Sequence, residues 1–233
     1  MEREYKGNGV VGHIGVGKAK LVDCSCPKYE IRFINEIEER DRELGRFVRK
    51  LKQYCDNTRV QIEHVKNTIG KREAEILGSH IKMTHDLALQ YSLLRKISDG
   101  ICAEQATTEI CDEYIERFLS ADEDFVRQLA TDVRDFKTCM INLLLNQNDV
   151  EVEHFETDTV VIAKELTPSV VARLDREHTK GIVTEIGSKN SHGAALVRAM
   201  KIPSVTGIVD IDKLIKENEI VTVNGKKGIV TVK

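Results

Sequence analysis

The chain has 233 residues, with 35 Lys and Arg against 38 Asp and Glu, a formal net charge of −3 and a pI near 6.2. So balanced a composition gives no electrostatic case for nucleic acid or an anionic membrane surface. The opening residues Met1-Glu2-Arg3-Glu4-Tyr5 lack an apolar signal core and no apolar run reaches membrane-spanning length, so a soluble, cytoplasmic protein of one large or two small domains is expected.

Residues 7–22 read as two short strands around a glycine-rich bend. Gly12-x-x-Gly15-x-Gly17-Lys18 has the wrong spacing for a phosphate loop, and Ala19 stands where a hydroxyl belongs, so the glycines are read as a tight turn. From residue 30 the period changes. Ile34, Ile37, Leu44, Val48, Leu51, Cys55, Ile62, Val65 and Ile69 recur at steps of three and four, interrupted at Asp41 and Thr58, which predicts a long helix ending at Gly70. A second helical segment runs from Arg72 to Ile97 with a break near Gly78-Ser79. A third spans about Ala103 to Leu119, and a fourth Glu123 to Leu145. Four amphipathic helices joined by short turns predict an antiparallel bundle.

Past Asn146 the period shortens. Thr159–Ala163 reads as a strand, and Pro168 suits the first turn of a helix. Residues 181–185 form another apolar strand candidate. Segments 205–208, 219–223 and 228–232 complete an α/β half, with Asn224-Gly225 as a hairpin turn. The order β, all-α, α/β is met most simply by a helical bundle, residues 30–146, inserted into an α/β domain made of residues 1–29 plus 147–233. Cys24, Cys26, Cys55, Cys102, Cys111 and Cys139 show no metal-binding spacing and are read as reduced structural residues.

Between strand 181–185 and a helix expected over 192–201 lies Gly187-Ser188-Lys189-Asn190-Ser191-His192-Gly193. Ser191 is an N-cap candidate. The unpaired N–H groups and positive dipole end of a helix favour an anion, so an imidazole at that entrance is suited to carrying a phosphoryl group. His192 is the candidate catalytic residue; Asn190, Ser191 and Gly193 are the candidate phosphate-binding residues.

Ser191-His192-Gly193-Ala194-Ala195-Leu196-Val197-Arg198-Ala199, followed by Ile202-Pro203-Ser204-Val205-Thr206-Gly207, resembles the phosphohistidine loop of phosphoenolpyruvate-utilising enzymes. With the inserted bundle, the chain looks like the N-terminal phosphotransfer domain of Enzyme I of the bacterial sugar phosphotransferase system. Gly17-Lys18-Ala19, Ser79-His80-Ile81, Thr131-Asp132-Val133-Arg134-Asp135 and Leu166-Thr167-Pro168-Ser169 carry the similarity along nearly the whole chain. The resemblance implies a swivelling α/β phosphohistidine domain with an inserted four-helix bundle. It implies that phosphoryl passes from phosphoenolpyruvate, bound with Mg by a C-terminal barrel that this chain lacks, through His192 to the phosphocarrier HPr. No cofactor is implied for this chain itself. HPr would dock on the bundle, with His80, Lys82 and Arg134 as candidate contacts.

The sequence departs from the family pattern at Ser188, Asn190 and Val171, the last standing where the family has a hydroxyl close to its active histidine. Acidic residues expected after His80 are replaced by Lys82, Met83, Thr84 and His85. Two alternatives therefore stay open. One is the phosphohistidine domain of a pyruvate phosphate dikinase or phosphoenolpyruvate synthase, against which the inserted bundle argues. The other is a non-catalytic homologue that only binds a phosphocarrier.

Overall fold

A computed structural model describes residues 2–233 of the chain. Three strands open it: β1 (Arg3–Lys6), β2 (Asn8–Val11) and β3 (Ile14–Val22). Five helices follow, α1 (Ile37–Thr68), α2 (Lys71–Thr84), α3 (Leu87–Ser98), α4 (Ala103–Leu119) and α5 (Asp124–Leu145). The chain then alternates through β4 (Thr159–Ala163), α6 (Pro168–Ala172), β5 (Thr179–Thr184), α7 (His192–Met200), β6 (Ser204–Thr206) and α8 (Ile211–Leu214), and ends in the hairpin β7 (Ile220–Asn224) and β8 (Ile229–Val232). It divides into two compact units. One comprises Met1–Cys24, Thr68–Glu73 and Val150–Lys233, the other Ser25–Asn67 and Ala74–Asp149. The divisions fall near residues 24 and 150 rather than 29 and 147, and the α1–α2 turn groups with the first unit.

The first unit is built on one eight-stranded sheet of order β1-β8-β7-β3-β4-β5-β6-β2. β3, β4, β5 and β6 run parallel; the remaining pairings are antiparallel. β4 is buried at all five positions, as expected of a parallel strand covered on both faces. Val160, Ile162, Val183, Val205, Val221, Val223, Val230 and Val232 pack with Ile208, Ile211 and Ile215 into its apolar core. Gly7 alone separates β1 from β2, yet these strands occupy opposite ends of the strand order. Residues 3–11 therefore cross from one sheet edge to the other. Arg3 pairs with Val232 and Asn8 with Thr206, so the sheet curls until a single run of chain joins its two edges. That curl requires backbones to touch. A Cβ built on Gly225 would lie 1.8 Å from the Val11 carbonyl oxygen, so only glycine fits there.

The second unit holds the helices. Phe47, Tyr54, Leu89, Leu93, Ile97, Ile110, Phe136, Met140 and Ile141 form its core, with the Tyr54 and Phe136 rings edge-on at 5.1 Å. Five helices occupy the region where four were expected. The Arg72–Ile97 segment does break, but at residues 85–86 rather than at Gly78-Ser79. Asp86 takes an extended conformation and its carboxylate accepts the Leu89 N–H at 2.8 Å, which starts α3 as a new helix. Gly78 stays inside α2.

The seam of α1 also differs from the apolar reading. Helix α1 starts at Ile37, and both Ile37 (74 % exposed) and Val48 (51 % exposed) face solvent, whereas Glu43, Phe47, Tyr54, Thr58 and Val65 are buried. Glu43 can turn inward because its charge is met. Its Oε1 lies 2.6 Å from the Arg46 guanidinium and accepts the Ala103 N–H at 2.8 Å. It thereby caps α4, whose own N-cap residue, Cys102, makes no side-chain cap bond. Desolvation would raise the Glu43 pKa, but these donors hold it below the usual carboxylate range.

Substituting Gly225 tests the sheet closure. Gly225→Ala is expected to cost at least ~2 kcal/mol in denaturant unfolding, since backbone rather than a movable side chain must yield. Gly78→Ala is the contrast: its Cβ meets no atom within 4 Å and should stabilise α2 by ~0.5–1 kcal/mol through helix propensity. Equal effects from the two substitutions would contradict the closure.

Candidate functional site: the His192 loop

The site lies in the α/β unit, where β5 ends at Thr184 and α7 begins at His192. Residues 185–191 make the connection. A Cβ on Gly187 would meet Thr206 Oγ1 at 2.6 Å and Thr184 Oγ1 at 3.4 Å, so a glycine lets the loop lie close over the ends of β5 and β6. The loop is then folded by its own polar groups. Ser191 Oγ donates to the Ser188 carbonyl at 3.0 Å, and the Asn190 N–H donates to Ser188 Oγ at 3.2 Å. The Arg198 guanidinium, one turn and a half along α7, donates to the Lys189 carbonyl.

Ser191 is the N-cap of α7: its backbone is extended (φ −67°, ψ 159°) and its Oγ accepts the Ala194 N–H at 3.2 Å. His192 is the first helical residue and half-buried. It and Gly193 are first-turn residues whose N–H groups have no acceptor within the helix. Gly193 is buried, and a Cβ there would sit 3.2 Å from the Leu166 carbonyl oxygen. The expected cluster His192, Asn190, Ser191 and Gly193 is thus brought together on one loop and helix start. Asn190 is exposed and enters the loop through its backbone N–H; Ser191 is engaged in capping.

Beneath the loop is a small cavity of about 50 Å³ lined by Val171, Thr184, Ser191, Gly193, Ser204 and Thr206, among others. Thr184 Oγ1 donates to Thr206 Oγ1 at 3.0 Å across paired strand positions. These hydroxyls escaped the sequence reading, although three threonine and serine residues on neighbouring parallel strands were a visible signal. Val171, on α6, is 1 % exposed and presents an apolar wall to the cavity.

The three residues expected to contact a partner lie in the helical unit and fare differently. Lys82 is exposed on α2 and Arg134 is half-buried on α5. His80 is 1 % exposed and cannot meet a partner at the surface. It is buried because two carboxylates receive it: its Nε2 is 3.4 Å from Asp132 Oδ1 and its Nδ1 3.7 Å from Asp135 Oδ2. The i, i+3 spacing of Asp132 and Asp135 puts both on one face of α5.

All six cysteines are free, and burial pushes the Cys111 thiol up to about 12, which keeps it protonated. Glu185, Asp210 and Asp212 bring carboxylates within 4.8 Å of one another. Lys213 pairs with Asp210, and Glu185 Oε2 accepts the Asp210 N–H at 3.1 Å, which accounts for their closeness. Among the described residues no helix is long and apolar enough to cross a membrane.

The sequence profile of the PEP-utilising enzymes' N-terminal domain matches residues 6–128, more than half of the chain, and that of their mobile domain matches residues 155–228. The chain belongs to the PEP-utilising enzymes. Its similar relatives in this family include the phosphoenolpyruvate-protein phosphotransferases of Listeria monocytogenes (29 % identical over 233 residues) and Priestia megaterium (30 % over 233), each covering 100 % of this chain. That of Bacillus subtilis is 29 % identical over 231 residues and covers 99 %. The chain spans only 40 % of the length of each of these PEP-utilising relatives. A solution structure of Enzyme I superposes with a TM-score of 0.76 at 28 % identity, covering 98 % of this chain and 92 % of that one. The N-terminal domain of a protein described as Enzyme 1, Nitrogen, shares the fold with a TM-score of 0.63 at 20 % identity, covering 97 % of this chain and 92 % of that one.

Ser191→Ala removes the cap of α7 and should cost ~1 kcal/mol, whereas Ser191→Asp keeps an acceptor and should cost less. Urea unfolding of the two variants measures this; equal losses would mean that Oγ does not serve the helix.

Proposed function

We propose that His192 carries a phosphoryl group that this chain exchanges with a phosphocarrier protein of the HPr type. The observation that supports this best is the placement of a half-buried imidazole as the first residue of the capped helix α7, over a glycine-opened loop. The whole-length likeness to proteins named phosphoenolpyruvate-protein phosphotransferase adds weight. Phosphoenolpyruvate itself, with its Mg, would be handled by the portion of such proteins that this chain does not span.

A neutral imidazole is a nucleophile near pH 7. One ring nitrogen of His192 attacks phosphorus in line while the bond from phosphorus to the carrier's own leaving group breaks, so one P–N bond forms as the other is lost. Such transfer needs positioning and charge stabilisation more than covalent work. The first-turn N–H groups of α7 and its dipole meet the phosphoryl oxygens. Arg198, by gripping the Lys189 carbonyl, holds the loop that sets the ring's height. The small side chains at 193–195 leave room for a protein-borne donor to approach.

The test is incubation with labelled phospho-HPr followed by mapping of acid-labile phosphate. Label should appear on the wild-type chain and fall below detection in His192→Ala. Label retained by that variant would overturn the assignment. A second reading, a carrier-binding module without transfer, is favoured by the apolar Val171 wall. Stoichiometric binding of HPr with no label transferred would select it.

A further inference from the structure

We propose that Thr206 is a positioning residue for phosphoryl transfer: its hydroxyl, paired with that of Thr184, is the seat on which the His192 loop rests at Gly187. The role in transfer rests on the reading above; the seating of the loop does not.

The seat is made by two strand ends. Thr184 closes β5 and Thr206 closes β6, and the two are register partners in the parallel ladder. Thr184 Oγ1 donates to Thr206 Oγ1 at 3.0 Å, and both residues are at most 7 % exposed. The backbones are tied as well, since the Thr184 carbonyl accepts the Gly207 N–H at 3.0 Å. Thr206 is thus held at its side chain and, through the next residue, at its main chain. A support fixed in this way is set before any phosphoryl group arrives.

The loop is anchored on either side of the seat. Before it, the Glu185 N–H donates to the Ala163 carbonyl at 3.3 Å and the Ile186 N–H to the Lys164 carbonyl at 2.7 Å, which tie the loop to the end of β4. After it, Ser188 receives the Asn190 N–H on its hydroxyl and the Ser191 hydroxyl on its carbonyl. Gly187 stands between. A Cβ built on it would find Thr206 Oγ1 as its nearest atom, at 2.6 Å, ahead of Thr184 Oγ1 and Thr206 Cβ at 3.4 Å. The loop backbone therefore packs against the Thr206 hydroxyl. An oxygen admits a closer approach by a glycine CH2 than a methyl does, and accepts a weak contact from it.

The rest of the cavity wall offers no equal support. Val171 of α6 is 1 % exposed and presents methyl groups. Ser204, two residues back on β6 and so on the same face, has a buried Oγ with no hydrogen-bond partner among the described residues. Of the two β6 hydroxyls that line the cavity, that of Thr206 is the one bonded to a neighbouring strand. Gly187 is five residues before His192, so a shift at the seat is carried to the ring. Misplacing the ring spoils the alignment of in-line attack rather than the binding of a partner, and is read in kcat.

Three substitutions separate the hydroxyl from its shape. Thr206→Val exchanges the hydroxyl for a methyl, Thr206→Ala removes it without adding bulk, and Thr206→Ser keeps it and gives up the methyl. Backbone amide relaxation is measured by NMR on the full chain without phosphoryl. Order parameters over residues 187–191 should fall by about 0.2 in the Val and Ala variants, most of the way from a rigid to a flexible backbone, and hold in Thr206→Ser. With phospho-HPr, kcat should fall by about tenfold in the Val and Ala variants, the scale of one lost hydrogen bond, with KM unchanged, and by less than about twofold in Thr206→Ser. Packing alone predicts the reverse order, since Ser leaves a void that Val fills. Thr206→Ser as impaired as Thr206→Val, or a loop and a transfer rate unchanged in both Val and Ala variants, would overturn the proposal. The relaxation measurement involves no phosphoryl group, so an absence of transfer in the wild-type chain would overturn the proposed function and leave the seating standing.

Discussion

The close approach of two backbones, at Gly225 and Val11, is the constraint on which the α/β unit depends. Because no side chain intervenes, the β7–β8 turn can lie against β2, and a run of nine residues can serve both edges of one sheet. An eight-stranded sheet closed this way leaves few unpaired edge groups to attract another chain. It also fixes the ends of β5 and β6. The loop to His192 leaves from β5, and its floor is the row of hydroxyls that these two strands supply. The histidine's position is thus inherited from sheet geometry before any local contact is counted.

Much of this was legible. Switches between period two and period three to four marked out the insertion, and the strand, glycine loop, serine and histidine order placed His192 at a helix start. What was not legible has physical causes. A search for apolar spacing passes over Glu43 and Thr58, because a buried carboxylate is stable only when a partner from another element satisfies it, here Arg46 and the Ala103 amide. Gly78 misled because glycine weakens a helix without breaking it when nothing crowds the position. The true break was written in Asp86, a residue whose carboxylate caps the next helix. His80 was misplaced for a related reason: its neighbours at 132 and 135 lie on a helix far along the chain, and their shared face has meaning only once α2 and α5 are side by side.

The two units solve the problem of buried polarity differently. Around His192, hydroxyls and backbone amides lie within and beneath an exposed loop. Around His80 and around Glu43, charges are taken out of water and matched internally. The first arrangement accords with the phosphoryl exchange proposed above. The second suits holding helices in register, and around Glu43 the match is kept at any ordinary pH, since Arg46 stays charged.

The topology also sets an order of events in folding. Lys18 pairs with Thr159, and Arg3 with Val232, so the central and outer pairings of the sheet each wait for chain made long after the first strand. The helices of the inserted unit, such as α4 and α5, find their neighbours locally and lose little loop entropy in doing so. During synthesis β1, β2 and β3 are therefore left without their strand partners while the helical unit is already able to collapse. The short length of β1 and β2 and the charges at Glu4, Lys6, Lys18 and Lys20 disfavour pairing of those waiting strands with the wrong chain.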